Sequence, residues 1–188
     1  MRILGISGSL RRDSHNLRLL RAAAAELPPE ASFEWWDELA QVPPYNEDED
    51  TAVPRHAAVR DLRAALLGAD AVVISTPEYN GSVPGQLKNA LDWASRPYPA
   101  NALRGKPVLV LGASTGLFGA VWAQAEVRKV LDRSGAHVVD EELPVGQAAD
   151  AFNEAGKLRD PDLQVALGEL MQALVREIDS PIERVNAA

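Results

Sequence analysis

Two stretches of the chain are apolar at every position: Ala71-Val72-Val73-Ile74 and Val108-Leu109-Val110-Leu111. A strand with water on one side alternates apolar and polar residues. A strand with no polar position is covered on both faces, as in a parallel sheet held between helices. Each run leads into a turn-rich loop and then into helical spacing. Val83, Leu87, Ala90, Leu91 and Ala94 share one face after the first run, and Ala123, Val127, Val130 and Leu131 share one after the second. Ser82 is placed to cap the first of these helices, and Pro84 suits its first turn.

The same alternation runs through the rest of the chain. Ile3-Leu4-Gly5-Ile6 reads as a short buried strand. A helix follows with Leu17, Leu20, Ala24 and Leu27 inward, ending before Pro28-Pro29. Phe33, Trp35 and Trp36 mark a second strand. Val59, Leu62 and Leu66 mark a second helix, which Gly68 is placed to stop. Ala136 to Val139 make a short fifth strand, and residues 144–160 read as irregular. The last helix carries Leu163, Leu167, Leu170, Leu174 and Ile178 on one face. Strands alternating with helices imply right-handed crossovers and a parallel sheet. Five such units in 188 residues predict a doubly wound, flavodoxin-like α/β sandwich of three layers, with five parallel strands in the order 2-1-3-4-5. One domain is expected over residues 1–180, with a loose tail at 181–188.

Composition removes several function classes. No apolar run is long enough to span a membrane, and Met1 to Ile6 is too short and too quickly interrupted for a signal peptide. The chain has no cysteine, which excludes disulfides, thiolate catalysis and cysteine metal sites and points to the cytoplasm. A net charge of -8 argues against non-specific binding to nucleic acid or acidic membranes. Much of that acid sits in Glu47-Asp48-Glu49-Asp50, expected to be a solvated loop rather than a metal site. His15, His56 and His137 have no metal-ligand spacing, so no metal centre is expected.

The chemistry concentrates in three loops at the carboxyl edge of the predicted sheet, where open α/β sheets bind ligands. After strand one, Ser9, Arg11, Ser14 and Asn16 combine small hydrogen-bonding groups with a cation at the start of a helix, which suits a phosphate. His15 either joins that phosphate or faces solvent. The stretch lacks the Gly-Lys-Ser/Thr of a P-loop and the glycine pattern of a dinucleotide turn. After strand three, Pro77, Glu78, Tyr79, Asn80 and Gly81 fix an open backbone suited to a flat ring. After strand four, Ser114, Thr115 and Gly116 are small enough for backbone to approach a ring edge. No ribose-reading acid or 2′-phosphate arginine is evident in the usual dinucleotide context.

Four segments together resemble the NAD(P)H-dependent FMN reductase family, which includes quinone, chromate and azo-dye reductases. They are Gly8-Ser9-Leu10-Arg11 with Ser14 and Asn16; Pro43-Pro44-Tyr45-Asn46-Glu47-Asp48; Pro77 to Gly85 with Lys88-Asn89-Ala90-Leu91-Asp92-Trp93; and the loop at 112–119. The resemblance implies that Ser9, Arg11, Ser14 and Asn16 hold the FMN phosphate. It implies that Pro77, Glu78, Tyr79 and Asn80 line the isoalloxazine, mostly through backbone, and that Ser114 lies near the ring or ribityl chain. It implies hydride transfer from NADPH or NADH to flavin N5, then reduction of a small-molecule acceptor at the same place. The flavin carries that chemistry, so no catalytic acid or base is assigned. The alternative is a flavodoxin-like electron carrier without NAD(P)H turnover.

Two tryptophans lie off the apolar faces of their helices. Trp93 aligns with Gln86, Asn89 and Arg96, and Trp122 aligns with Glu126, Lys129 and Arg133. One such tryptophan alone could tuck under a loop, but two large aromatics on polar faces of neighbouring helices predict a patch buried by a second subunit. The resemblance implies a homodimer as well, sometimes paired into a homotetramer.

Overall fold

The structure, a computed structural model, describes residues 1–51 and 55–179; the expected tail at 181–188 lies outside the described residues. In chain order the strands are β1 (Arg2–Ser7), β2 (Ser32–Trp36), β3 (Ala71–Thr76), β4 (Pro107–Ala113), β5 (His137–Val138) and β6 (Leu143–Val145). The helices are α1 (His15–Ala24), α2 (Ala57–Gly68), α3 (Gly85–Ala94), α4 (Val121–Arg133) and α5 (Pro161–Asp179). Two 3-10 turns, Glu38–Gln41 and Glu47–Glu49, lie between β2 and α2.

All pairings are parallel, in the order β2-β1-β3-β4-β5, as the strand pattern predicts. Every residue of β3 and β4 is buried, because helices cover both faces. Leu4, Ile6, Val72, Ile74, Val108 and Val110 pack towards α2, α3 and α4. Ile3, Ala71, Val73, Leu109 and Leu111 pack towards α1 and α5. This is the period-two alternation of a strand sorted between two cores. Among the described residues, no helix is long and apolar enough to cross a membrane.

Local details depart from the sequence expectations. The fifth strand position is shared: β5 pairs with Pro107 and Val108, while β6, from the stretch expected to be irregular, pairs with Leu111, Gly112 and Ala113. Helix α1 buries Asn16, Leu19, Leu20, Ala22 and Ala23. Its core face is thus rotated away from Leu17 and Ala24, because α1 must meet α5 as well as the sheet. Gly68 is the last residue of α2, but the helix stops because Ala69 turns extended (φ -86°, ψ 147°). Ser82 does not cap α3, whose N-cap is Pro84.

The largest correction concerns Trp93. It is fully buried, and its indole N–H donates to the carbonyl of Pro43 at 2.9 Å. The face expected to be polar and open is covered by residues 39–50. Gln86 donates to the carbonyls of Leu39 and Val42, both at 2.8 Å. Asn89 donates to Pro43 at 2.8 Å and accepts from the Tyr45 amide at 2.7 Å. The Tyr45 ring meets Trp93 edge-on at 4.9 Å. The acidic run is correspondingly not a purely solvated loop. Asp50 pairs with Arg63 at 2.7 Å, with both side chains largely buried, and Arg63 also donates to the Trp93 carbonyl. Glu49 pairs with Arg55 and His56.

Candidate active site

The parallel register brings the ends of β1, β3 and β4 level, so the three loops meet. Residues Gly8 and Ser75 are joined by an amide-to-carbonyl bond at 2.8 Å. Asn16, in the helix that follows β1, then bonds to both β3 and β4. Its Oδ1 accepts from the Ser75 hydroxyl (2.8 Å) and the Ala113 amide (3.0 Å), and its Nδ2 donates to the Ala113 carbonyl (3.0 Å). A buried amide satisfied three ways within the protein fixes the spacing of the loops around it.

The resulting cleft, about 100 Å³, is lined by Ser9, Arg11, Ser14, His15, Asn16, Pro77, Glu78, Tyr79, Ala113, Ser114 and Thr115. Ten of the thirteen residues expected from the sequence therefore converge here. Asn80, Gly81 and Gly116 do not line it. Ala113 was not anticipated, because a strand-end alanine carries no chemical signal.

The first loop leaves its polar groups available. Ser14 is the N-cap of α1, accepting from the Leu17 amide at 3.2 Å. Ser9 accepts from the Arg11 amide at 3.4 Å. Both hydroxyls act as acceptors in these contacts, so their hydrogens remain to donate. The Arg11 guanidinium is exposed and has no hydrogen bond or ion pair among the described residues. His15 Nδ1 is buried and has no partner. Burial, then the charges of Arg11 and Arg18, hold the His15 imidazole below its usual value. The first-turn N–H groups of a helix have no intrahelical partner. Orphaned donors, the unpaired Arg11 cation and a helix N-terminus at one spot fit a phosphate.

The second loop is locked instead. Asn80 (φ 54°) and Gly81 (φ 71°) form a tight turn, with Tyr79 and Ser82 exchanging both backbone bonds at 3.1 Å. Positive φ at both central positions is what an Asn-Gly pair permits. Glu78 Oε2 accepts from the amides of Trp122 (3.1 Å) and Ala123 (3.2 Å), capping α4 from another loop. Helix α4 needs that carboxylate, since its own N-cap is Ala120 with no side-chain bond. In return Glu126 accepts from the Ser82 hydroxyl and, at 3.1 Å, from the Val83 amide; those bonds hold its carboxyl below the usual range. Glu78 is thereby a structural cap, and Tyr79 stands half-exposed at the cleft.

The third loop is braced by the segment expected to be irregular. The Ser114 amide donates to the Val145 carbonyl (3.0 Å), Ala148 donates to Ser114 (3.0 Å), and Gln147 donates to Gly116 (2.9 Å). At Gly119 (φ 57°) a Cβ would lie 2.3 Å from the Pro144 backbone, so only glycine fits.

Comparison with known proteins agrees with this geometry. Residues 1–150 match the model of the NADPH-dependent FMN reductase family. The chain is 41% identical over 175 residues to an NAD(P)H-dependent FMN reductase of Pseudomonas aeruginosa, covering 93% of each chain. It is 43% identical over 130 residues to a 2-hydroxy-1,4-benzoquinone reductase of a Burkholderia species, covering 69% of each. Among solved structures it is similar to FerB, a flavoenzyme NAD(P)H:(acceptor) oxidoreductase from Paracoccus denitrificans. That match has a TM-score of 0.82, 34% identity, and coverage of 95% of this chain and 97% of that one. The chain belongs to the NADPH-dependent FMN reductase family, with FMN as cofactor and NAD(P)H as co-substrate.

Proposed function

We propose that the enzyme passes hydride from NAD(P)H through FMN to a small planar acceptor of the quinone class. The observation that carries this is the pairing of an unsatisfied phosphate loop with a locked platform, joined through Asn16. Arg11, the hydroxyls of Ser9 and Ser14, and His15 meet the FMN phosphate. Asn16 sets the loop spacing. Pro77, Tyr79 and the Ser114-Thr115-Gly116 loop bound the ring. The Asn80-Gly81 turn and the Glu78 cap hold that platform still. The flavin supplies hydride acceptance and donation at N5. The benzoquinone-reducing relative supports a quinone as acceptor.

The test is steady-state oxidation of NADH and NADPH by the FMN-loaded protein with a series of quinones. One open flavin face requires donor and acceptor to alternate, so double-reciprocal plots should be parallel. Intersecting plots, or no turnover, would refute the reading. Arg11→Ala should weaken FMN binding by about 1.5–3 kcal/mol, the worth of a charge-assisted bond. Unchanged affinity would remove Arg11 from the site. FMN binding should also raise the His15 pKa, since a phosphate opposes the depression by burial and the arginines.

We further propose a homodimer, in place of the two-tryptophan patch, around Leu117, Phe118 and Trp122. These are 70%, 59% and 51% exposed, and the two rings meet edge-on at 5.3 Å. They adjoin the cleft through the Trp122 amide bond to Glu78. A twofold axis there would set each subunit's surface beside the other's flavin.

A further inference from the structure

A second cavity, about 440 Å³, opens between α1 and the edge strand β2. It adjoins the phosphate cleft, since Ser9 lines both. Its size is that of a small-molecule pocket. Three side chains on its wall, Trp35, Asp37 and Arg21, are exposed. Trp35 is 46% exposed at the sheet edge, propped by Phe33 at 4.7 Å between ring centroids. Phe33 itself lies over Gly5, where a Cβ would come within 2.2 Å of the ring. Asp37 is the first residue beyond β2, next to Trp36, which pairs with Ile6 of β1. Arg21 projects from the second turn of α1. Neither Asp37 nor Arg21 has a side-chain hydrogen bond or ion pair among the described residues.

The placement is chemically specific. In doubly wound sheets the phosphate sits on the loop after the first strand, and a carboxylate beyond the second strand accepts the ribose hydroxyls of a dinucleotide. Asp37 stands in that relation to the 9–16 loop. An exposed indole offers a stacking face for a base. Arg21 supplies a cation for a pyrophosphate in a chain whose net charge is -8.

We propose that this cavity holds the adenosine half of a dinucleotide, with adenine against Trp35 and the ribose diol on Asp37. Two dinucleotides carry that group here: NAD(P)H, whose nicotinamide would reach the ring site, and FAD, whose flavin half would occupy it. The NAD(P)H assignment rests on the function proposed above; the adenosine site itself does not.

The probe is ADP-ribose, which carries the adenosine and pyrophosphate without nicotinamide or flavin, titrated calorimetrically into the FMN-loaded protein. Binding is expected, weakened about tenfold in both Asp37→Asn and Trp35→Ala. Retained FMN binding by these variants, both altered at exposed positions, reports that they fold. The kcat/KM ratio of NADH to reduced nicotinamide mononucleotide should fall by about the same factor if the adenosine comes from NADH. A fall in the ratio of FAD to FMN affinity instead assigns it to FAD. No ADP-ribose binding by the wild type, or equal binding by wild type and both variants, overturns the proposal. Failure of NAD(P)H turnover with intact ADP-ribose binding would refute the proposed reaction but not this site.

Discussion

Trp93 on α3 and Trp122 on α4 look alike in sequence, since each sits among polar residues at helical spacing. In the fold they part completely. Trp93 is 0% exposed and Trp122 is 51% exposed. The difference lies in what packs over each helix, not in the helices. Residues 39–50 fold back across α3 and offer it backbone carbonyls, so Gln86, Asn89 and Trp93 are all satisfied under that cover. No segment among the described residues covers α4 in this way. Its polar face is spent on bracing the loop before α3 instead, through Glu126 to Ser82 and Val83. A polar helix face can therefore mean solvent, a covering loop or a brace for another loop, and only the partner tells which.

Five variants can break or sharpen that contrast. The largest effect is expected for Trp93→Ala, which empties a buried site and removes one of the two donors to the Pro43 carbonyl. It should cost about 3–5 kcal/mol in urea unfolding. A loss under about 1 kcal/mol would mean the 39–50 cover is not what holds Trp93. Asn89→Ala comes next, leaving the Tyr45 amide and one donor to Pro43 unmade. We expect about 1–3 kcal/mol by the same assay, with FMN affinity unaltered.

On the α4 side, Trp122→Ala should change the stability of the protomer by no more than about 0.5 kcal/mol, as exposed substitutions do. The informative readout is sedimentation. Phe118→Glu/Trp122→Glu should yield monomers if the patch is an interface, and a wild type already monomeric at micromolar concentration would remove the dimer. The smallest effect is expected for Glu126→Gln. Bonds from Ser82 and Val83 hold the Glu126 carboxyl below its usual 4.5. A carboxyl with a depressed folded-state pKa stabilises above the unfolded value and loses that contribution as pH falls through the folded one. The melting temperature of wild type should therefore drop below about pH 4.5 more steeply than that of the variant. Parallel acid limbs would show that Glu126 does not brace the platform.

Much of the architecture was legible in the chain alone. The unbroken apolar runs at 71–74 and 108–111 require cover on both faces, and that requirement forces a parallel sheet with helices on each side. The Asn80-Gly81 turn was equally local, because positive φ is a property of the residues themselves. The convergence of Ser9, Arg11, Ser14, His15 and Asn16 on one cleft was legible because they are adjacent in sequence. What lay beyond reach were pairings between distant segments. Asn16 bridges to Ala113 and Ser75, Glu78 caps a helix that begins 43 positions later at Val121, and Pro43 receives Trp93. β6 forms only because β4 outlasts β5 and leaves an edge to pair. The role proposed for Asp37 has no marker among its sequence neighbours; only the register of β2 on β1 sets it beside the 9–16 loop. Backbone preference and burial pattern act over a few residues and are written in the chain, whereas satisfying a buried polar group depends on which segment arrives opposite it.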